Sequence, residues 1–206
     1  MLVLMGKSAS GKTTIAQKLA MKHGFHSVVT YTSRPMRKGE IADVTYHYIP
    51  KKKFLEKIEN GFFAEWKSYE VNGDTWYYGT AIEDLINADE KSVVILTPDG
   101  VKDLKRCGID CIVIYLYSDL DTIRRRLKTR KDKNDRIEDR IKRDSRLFET
   151  AAMITDKVVQ NLYTSDIDTI VDEILYHYNR ILKQRSDNNF KWNNIYNSSI
   201  NQGIIW

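Results

Sequence analysis

An apolar run at residues 2–5 leads directly into the motif Gly-Lys-Ser-Ala-Ser-Gly-Lys-Thr at residues 6–13. The motif satisfies the pattern G-x-x-x-x-G-K-[ST] in full, and residues 13–22 then carry apolar side chains at helical spacing. A glycine-rich turn between a buried strand and a helix aims backbone N–H groups and the positive end of the helix dipole at a phosphate. The sequence therefore predicts a strand, a phosphate-binding loop and a helix.

The residue types in this loop suit a nucleoside triphosphate held together with Mg²⁺. The ammonium of Lys12 can bridge the β- and γ-phosphates, and the Thr13 hydroxyl is suited to ligate the metal. Such a loop does not specify a reaction, because GTPases, motor ATPases and small-molecule kinases share it. The residues predicted to contact the triphosphate are Gly6, Lys7, Ser8, Ala9, Ser10, Gly11, Lys12, Thr13 and Thr14.

The rest of the chain alternates short apolar runs with helical patterns, which is typical of an α/β protein with a parallel sheet. The predicted core strands are residues 1–5, 27–30, 92–97, 111–117 and 157–160. The predicted helices are residues 13–22, 101–106, 119–130, 136–154 and 167–184. We therefore expect the P-loop NTPase fold, with a parallel core sheet of about five strands flanked by helices.

Residues 31–80 differ from this pattern, because aromatic and β-branched runs are interrupted there by turn signals. The predicted elements are a strand at 45–49, a helix at 52–60, and strands at 62–66 and 75–78 around the hairpin signal Asn72-Gly73. They indicate a small, mostly antiparallel insertion. The predicted division is a core of residues 1–30 and 81–185, an insertion of residues 31–80, and a C-terminal extension of residues 186–206.

Positive charge is concentrated in one segment of a chain whose net charge is +5. Residues 124–146 hold 12 Lys or Arg against 5 Asp or Glu. Interspersed acids fit a solvated helix or a lid that closes over phosphates better than a broad nucleic-acid surface, so we expect no nucleic-acid partner. No apolar run approaches the roughly 20 residues that span a bilayer. Cys107 and Cys111 are too few for a disulfide framework, which favours the cytoplasm.

Two arginines lie three residues apart just after the second predicted strand. Pro35 disfavours a helix at this point, so Arg34 and Arg37 are presented together from an extended or turned segment. Two planar guanidinium groups are a natural site for a phosphate monoester. Taken alone, the pair is explained equally well as two surface arginines.

Four elements behind the phosphate-binding loop resemble guanylate kinases in type and order. They are Thr-Tyr-Thr-Ser-Arg-Pro-Met-Arg-Lys-Gly-Glu at residues 30–40, Thr-Tyr-His-Tyr at 45–48, Phe-Ala-Glu-Trp at 63–66 and Tyr-Gly-Thr at 78–80. The family carries Ser-x-Thr-Thr-Arg-x-Pro-Arg-x-Gly-Glu, Asp-Tyr-x-Phe, Phe-x-Glu-Trp and Tyr-Gly-Ser/Thr. The resemblance spans roughly residues 1–180.

This resemblance implies a nucleoside monophosphate kinase that transfers the γ-phosphoryl group of ATP in line to GMP or dGMP, with Mg²⁺ as cofactor. It leaves open whether the protein is a monomer or a homodimer. The implied acceptor residues are Thr30, Arg34, Arg37, Tyr46, Glu65, Tyr78 and Thr80, with Glu65 accepting hydrogen bonds from guanine. The implied catalytic residues are Lys12, Arg34, Arg130 and Arg140, and the lid residues implied at ATP are Arg130 and Arg136.

The chain departs from the family pattern at the end of the third core strand. Ile95 and Thr97 stand where the family has Asp-x-Asp, so Asp99 is the remaining candidate for the metal beside Thr13. The proline of the arginine element also lies one place early. These departures keep two alternatives open: a kinase for a different (deoxy)nucleotide or phosphorylated sugar, and a non-catalytic guanylate-kinase-like interaction module.

Overall fold

The structure is a computed structural model that describes residues 1–71, 73–129 and 137–201, with side chains as far as residue 188. The strands are β1 (Leu2–Met5), β2 (His26–Ser27), β3 (Tyr31–Thr32), β4 (His47–Tyr48), β5 (Phe63–Val71), β6 (Asp74–Ala81), β7 (Ser92–Leu96), β8 (Ile112–Tyr117) and β9 (Lys157–Gln160). The helices are α1 (Lys12–His23), α2 (Lys51–Glu59), α3 (Ile82–Ile86), α4 (Pro98–Arg106), α5 (Leu120–Thr129), α6 (Ile137–Leu147) and α7 (Ile167–Asn201), with a 3-10 turn at Ala151–Ile154.

A parallel sheet of five strands, in the order β2-β7-β1-β8-β9, forms the core and confirms the predicted fold class. The central strand β1 is wholly buried, and its side chains alternate between two apolar clusters. Leu2 and Leu4 face the cluster built with α1 and α7, whereas Val3 and Met5 face the cluster built with α4. Helices cover both faces of the sheet. Because the phosphate-binding loop directly follows β1, it lies at the carboxyl edge of the sheet.

The insertion forms a second sheet of four strands in the order β4-β3-β6-β5. Its β5–β6 and β3–β6 pairs are antiparallel and its β3–β4 pair is parallel, as the mostly antiparallel prediction requires. In the register of the long hairpin, Glu65 lies opposite Thr80 and Lys67 lies opposite Tyr78. The predicted acceptor residues Glu65 and Thr80 are therefore cross-strand neighbours, and Tyr78 lies on the same hairpin.

Three helix boundaries differ from the sequence prediction. Helix α4 begins at Pro98, because the Thr97 hydroxyl accepts the Gly100 N–H at 3.2 Å and proline suits the first helical position. The predicted helix 136–154 ends at Leu147 and is followed by the separate 3-10 turn. Helix α7 continues to Asn201, since no glycine or proline interrupts residues 167–201.

No helix in the described parts of the chain combines the length and the apolar character that a membrane crossing needs.

Candidate active site

The loop at residues 6–13 makes a turn that only glycine tolerates at two positions. A Cβ on Gly6 would lie 2.6 Å from the Ser10 Oγ and 2.7 Å from the Leu116 carbonyl oxygen. Gly11 has φ +99°, and a Cβ there would lie 2.5 Å from the Asn161 Nδ2. The backbone therefore follows the tight path that a phosphate cradle needs.

Two side chains hold this loop from behind, Asn161 from the carboxyl end of β9 and Arg126 from α5. The Asn161 amide, 1% exposed, donates to the Ser10 carbonyl oxygen at 2.8 Å. Arg126 donates to the Ala9 carbonyl oxygen at 3.3 Å and to the Asn161 Oδ1 at 3.0 Å. Sequence reasoning missed both residues. The available signal was the position of Asn161 directly after β9, at the strand edge where α/β proteins bind ligands.

Lys12 lies folded over the loop and lines the adjoining cavity. Its Nζ donates to the carbonyl oxygens of Gly6 at 2.7 Å and of Lys7 at 2.9 Å. Thr13 and Thr14 are exposed in the first turn of α1. The ammonium is thus already at the mouth of the loop where an incoming phosphate arrives.

A cavity of about 550 Å³ connects the loop, the second sheet and α6. Its volume lies within the usual range of small-molecule sites, roughly 300–1,000 Å³. The structure brings ten of the twenty predicted site residues to this one cavity. Those that line it are Gly6, Ser8, Lys12, Thr30, Arg34, Arg37, Tyr46, Glu65, Tyr78 and Arg140.

The remaining predicted residues are distributed around the cavity or fall elsewhere. Thr80 is buried behind Glu65, and Lys7, Ala9, Ser10 and Gly11 form the loop without lining the cavity. The side chain of Asp99 is 45% exposed, lies 3.5 Å from the Lys102 ammonium, and does not line the cavity. Arg130 and Arg136 lie outside the described residues.

Arg34 is buried, at 4% exposed, and is held by Glu40 through two hydrogen bonds. The same carboxylate accepts the Arg37 backbone N–H and the Tyr48 hydroxyl, each at 2.7 Å. Burial alone would raise the pKa of Glu40, but the bonds from Arg34, Arg37 and Tyr48 outweigh it and lower that pKa to about 2. Glu40 is therefore ionised at all ordinary pH values and fixes the Arg34 guanidinium beside the cavity.

Phenol groups surround the Arg34 guanidinium on its open side. Its central carbon lies 5.2 Å from the ring centroid of Tyr46 and 5.7 Å from that of Tyr48. Burial is the main cause that raises the pKa values of Tyr46 and Tyr78, so both hydroxyls stay protonated and available as donors. The result is a group of cations and hydroxyl donors suited to a dianion.

Glu65, which lines the same cavity, is an almost fully buried carboxylate, at 8% exposed. Burial raises its pKa to about 7, although the hydrogen bond from Thr80 and the charge of Lys67 act in the other direction. The Thr80 hydroxyl donates to its Oε1 at 2.6 Å. A Cβ on Gly100 would lie 3.2 Å from its Oε2, so α4 backs this carboxylate closely.

Sequence reasoning missed two further cavity residues on the same strand. Lys67 and Tyr69 follow Glu65 at spacings of two, so all three project from one face of β5. The Arg143 guanidinium lies 5.7 Å from the ring centroid of Tyr69 and joins α6 to the insertion. Strand periodicity was the signal that could have identified Lys67 and Tyr69.

Helix α6 contributes the wall of the cavity nearest the loop. Ile141 packs with Ala9, Ile123 and Leu127 in a small apolar cluster. Arg140, Arg143 and Asp144 line the cavity, and Asp144 accepts the Ser8 N–H at 2.6 Å. Within the ranges that the structure describes, no group of three or more His, Cys, Asp or Glu is arranged to hold a metal ion.

Replacing Glu40 with Gln tests the support of Arg34. We expect Glu40→Gln to lower the free energy of unfolding by about 3 kcal/mol, since a buried guanidinium loses its charged partner. Urea denaturation measures the change, and Glu59→Gln, at an exposed position at the end of α2, serves as control. Equal stability of the two variants would show that Glu40 does not hold Arg34.

The sequence profile described as Guanylate kinase matches residues 1–178. Guanylate kinase from Wolinella succinogenes is 46% identical over 89 residues, which cover 42% of this chain and 39% of that protein. Guanylate kinase from Helicobacter hepaticus is 35% identical over 97 residues, and the match covers 46% of each chain. The chain thus spans less than half the length of these two relatives.

A crystal structure of guanylate kinase from Anaplasma phagocytophilum has the same overall fold. It superposes with a TM-score of 0.62 at 25% sequence identity, over 87% of this chain and 85% of that chain. Guanylate kinase from Bdellovibrio bacteriovorus is 27% identical over 138 residues, which cover 65% of this chain and 72% of that protein. Because the family profile extends through most of the chain, this protein belongs to the guanylate kinase family.

Proposed function

We propose that this protein transfers the γ-phosphoryl group of ATP to GMP, yielding ADP and GDP. The observation that carries the proposal is a single cavity lined by the phosphate-binding loop, by Arg34 and Arg37, and by the buried carboxylate of Glu65. A kinase that joins two nucleotides needs such groups within one site, for the donor phosphates, the acceptor phosphate and the acceptor base.

The donor side binds ATP through the loop backbone and Lys12. Lys12 exchanges the carbonyl oxygens of Gly6 and Lys7 for the β- and γ-phosphates, a short movement for a long flexible side chain. The Thr13 hydroxyl, exposed in the first turn of α1, is a suitable hard oxygen ligand for Mg²⁺. When bound, Mg²⁺ would neutralise charge on the donor phosphates.

The acceptor phosphate is held by Arg34, Arg37, Tyr46 and Tyr78. Two guanidinium groups and two protonated phenols can bind a dianion without a second metal ion. Glu40 keeps Arg34 in place, so little side-chain freedom is lost when the acceptor binds.

The acceptor base is read by Glu65. Guanine presents an N1–H and an exocyclic amine on one edge, and an ionised carboxylate accepts from both. Adenine lacks this pair of adjacent donors, so the buried carboxylate would be left unpaired. Thr80 orients Glu65 through its hydroxyl, and Thr30 lines the cavity for a further contact with the purine.

Transfer requires positioning and charge neutralisation rather than a covalent protein intermediate. The acceptor oxygen is aimed at the γ-phosphorus while Lys12, Arg34 and Arg140 stabilise charge on the moving group. The lid arginines Arg130 and Arg136 are further candidates for ATP contacts, at positions outside the described residues. We place the reaction in the cytoplasm, where the free thiols Cys107 and Cys111 remain reduced.

The pH dependence of GMP binding tests the role of Glu65. Because only the ionised carboxylate accepts both guanine donors, affinity should fall as pH drops below the Glu65 pKa of about 7. Between pH 8 and pH 5.5 the dissociation constant should rise about thirtyfold, following the ionised fraction. Titration calorimetry of the wild type and Glu65→Gln separates this effect from protonation of the GMP phosphate itself. Parallel pH profiles for the two proteins would contradict the assignment.

A panel of nucleoside monophosphates tests the proposed function as a whole. GMP, dGMP, IMP, AMP, CMP and UMP are each supplied with ATP and Mg²⁺, and ADP release is measured. We expect GMP and dGMP to be turned over at a kcat/KM at least about 10³-fold above that of AMP, since unmatched buried donors and acceptors are costly. Preferred turnover of another acceptor, or tight binding without turnover, would overturn the proposal.

A further inference from the structure

The Asp144 carboxylate accepts a hydrogen bond from a backbone N–H of the phosphate-binding loop. Its Oδ2 accepts the backbone N–H of Ser8 at 2.6 Å, and the residue is 8% exposed. Ser8 is the third residue of the motif at residues 6–13 and lines the cavity together with Asp144. An N–H of this loop is therefore satisfied by an anionic oxygen from α6, in the place where the loop would present it to a phosphate.

The position of Asp144 is determined by packing rather than by a flexible surface contact. Ile141, one turn earlier on α6, packs with Ala9 of the loop and with Ile123 and Leu127 of α5. This apolar contact sets α6 directly against the loop, so Asp144 reaches Ser8 for as long as α6 keeps this contact. Arg140 and Arg143, which precede Asp144 on α6, also line the cavity.

Among the cavity-lining residues of the described chain, only Glu65 and Asp144 are acidic. Glu65 lies beside Thr80 and α4, at the base end of the cavity in the proposed function. Asp144 lies at the loop, where its negative charge would repel a polyphosphate. A carboxylate and a phosphate oxygen cannot both accept the same Ser8 N–H.

We propose that Asp144 is a donor-site residue that stands in for a phosphate oxygen of ATP and sets the affinity of the loop for the triphosphate. ATP binds when α6 withdraws Asp144 from Ser8, and the same movement adjusts Arg140 and Arg143 to the incoming phosphates. This inference rests on the proposed ATP site and adds a competing residue to it. The competition lowers ATP affinity and keeps the loop structured when no nucleotide is bound.

The first test measures the dissociation constant of a non-hydrolysable ATP analogue by titration calorimetry without GMP, once in the presence and once in the absence of Mg²⁺. Asp144→Ala removes both the charge and the acceptor, and we expect binding to tighten about tenfold to a hundredfold. Asp144→Asn keeps an acceptor but loses the charge, so a smaller gain is expected. Asp139→Asn removes the same charge from an exposed position on α6 and should change affinity less than about twofold.

The outcomes separate this inference from the proposed function. Unchanged or weaker binding in both Asp144 variants, with normal binding by the wild type, overturns the inference alone. Weaker binding that appears only with Mg²⁺ also overturns it, because Asp144 would then support the metal. Absence of ATP binding in the wild type and in every variant overturns the proposed function, and the inference with it. If Asp144→Ala fails to fold, the Asp144→Asn result decides.

Amide hydrogen exchange gives a second readout that does not involve nucleotide. The Ser8 N–H should exchange slowly in the wild-type protein, because a buried carboxylate protects it. In Asp144→Ala its exchange should accelerate by at least about tenfold, whereas amides of β1 should be unaffected. Equal Ser8 exchange in the wild type and in Asp144→Ala would contradict the proposed contact.

Discussion

Lys12→Ala is expected to lower kcat for GMP phosphorylation by about 10²- to 10³-fold or more while the protein remains folded. The ammonium is the side-chain cation at the mouth of the loop, where charge develops on the transferred group. Removing it leaves the backbone cradle intact, so ATP binding should weaken less than turnover. Steady-state kinetics with ATP and GMP, together with a thermal melt, measure both effects.

The control for Lys12 is a second lysine on the same helix. Lys22 lies in the last turn of α1, half exposed, and pairs with Asp168. Lys22→Ala removes the same charge from α1 and should change kcat less than about twofold. Near-normal turnover by Lys12→Ala would contradict the assignment of residues 6–13 as the donor site.

Glu65→Gln is expected to lower kcat/KM for GMP by about 10²- to 10⁴-fold, since two charge-assisted hydrogen bonds to the base are lost. The substitution preserves size, so the buried site beside Thr80 and Gly100 stays filled. ATP affinity should change little, because the proposed role of Glu65 is to read the acceptor base. Kinetics with both substrates varied separate the two sites.

A neighbouring acid provides the control for this second prediction. Glu70 lies on the same strand, β5, and is exposed. Glu70→Gln should leave the kinetics for GMP and ATP unchanged within about twofold. A loss in Glu65→Gln that falls equally on GMP and ATP would show that Glu65 supports the fold rather than reads a base.

The features that could be predicted from sequence are those that depend on a single strand or a single short motif. The core strands were predictable because parallel strands buried on both faces read as apolar runs. Arg34, Arg37, Tyr46, Glu65 and Tyr78 were predictable as a group through their ordered resemblance to one family. The phosphate-binding loop was predictable because its tight backbone turn leaves no room for a Cβ at Gly6 and Gly11.

The features that sequence reasoning missed depend on contacts between distant parts of the chain. Asn161 supports Ser10 from 151 positions away, and Asp144 reaches Ser8 from 136 positions away. No spacing pattern links such residues. Glu40 stood inside a recognised motif, yet its role in holding Arg34 and Tyr48 follows only from the folded turn.

Helix boundaries failed for a related reason. The helical pattern of residues 136–154 runs past the true end of α6 at Leu147, because the 3-10 turn at Ala151–Ile154 buries Ala151 with similar spacing. Periodicity reports which face is buried and does not report a change in chain direction. In α7 the opposite error arose, since residues 186–201 are rich in Asn and Ser without a clear period and were predicted as an extension rather than as part of the helix.

In the proposed reaction the γ-phosphoryl group of ATP moves directly to GMP. The most direct measurement uses ATP labelled at the γ-phosphorus, with GMP and Mg²⁺, and follows the label by separating the nucleotides. We expect the label in the β-phosphate of GDP, in an amount equal to that of the ADP formed. Label recovered as inorganic phosphate, with GMP unchanged, would contradict it.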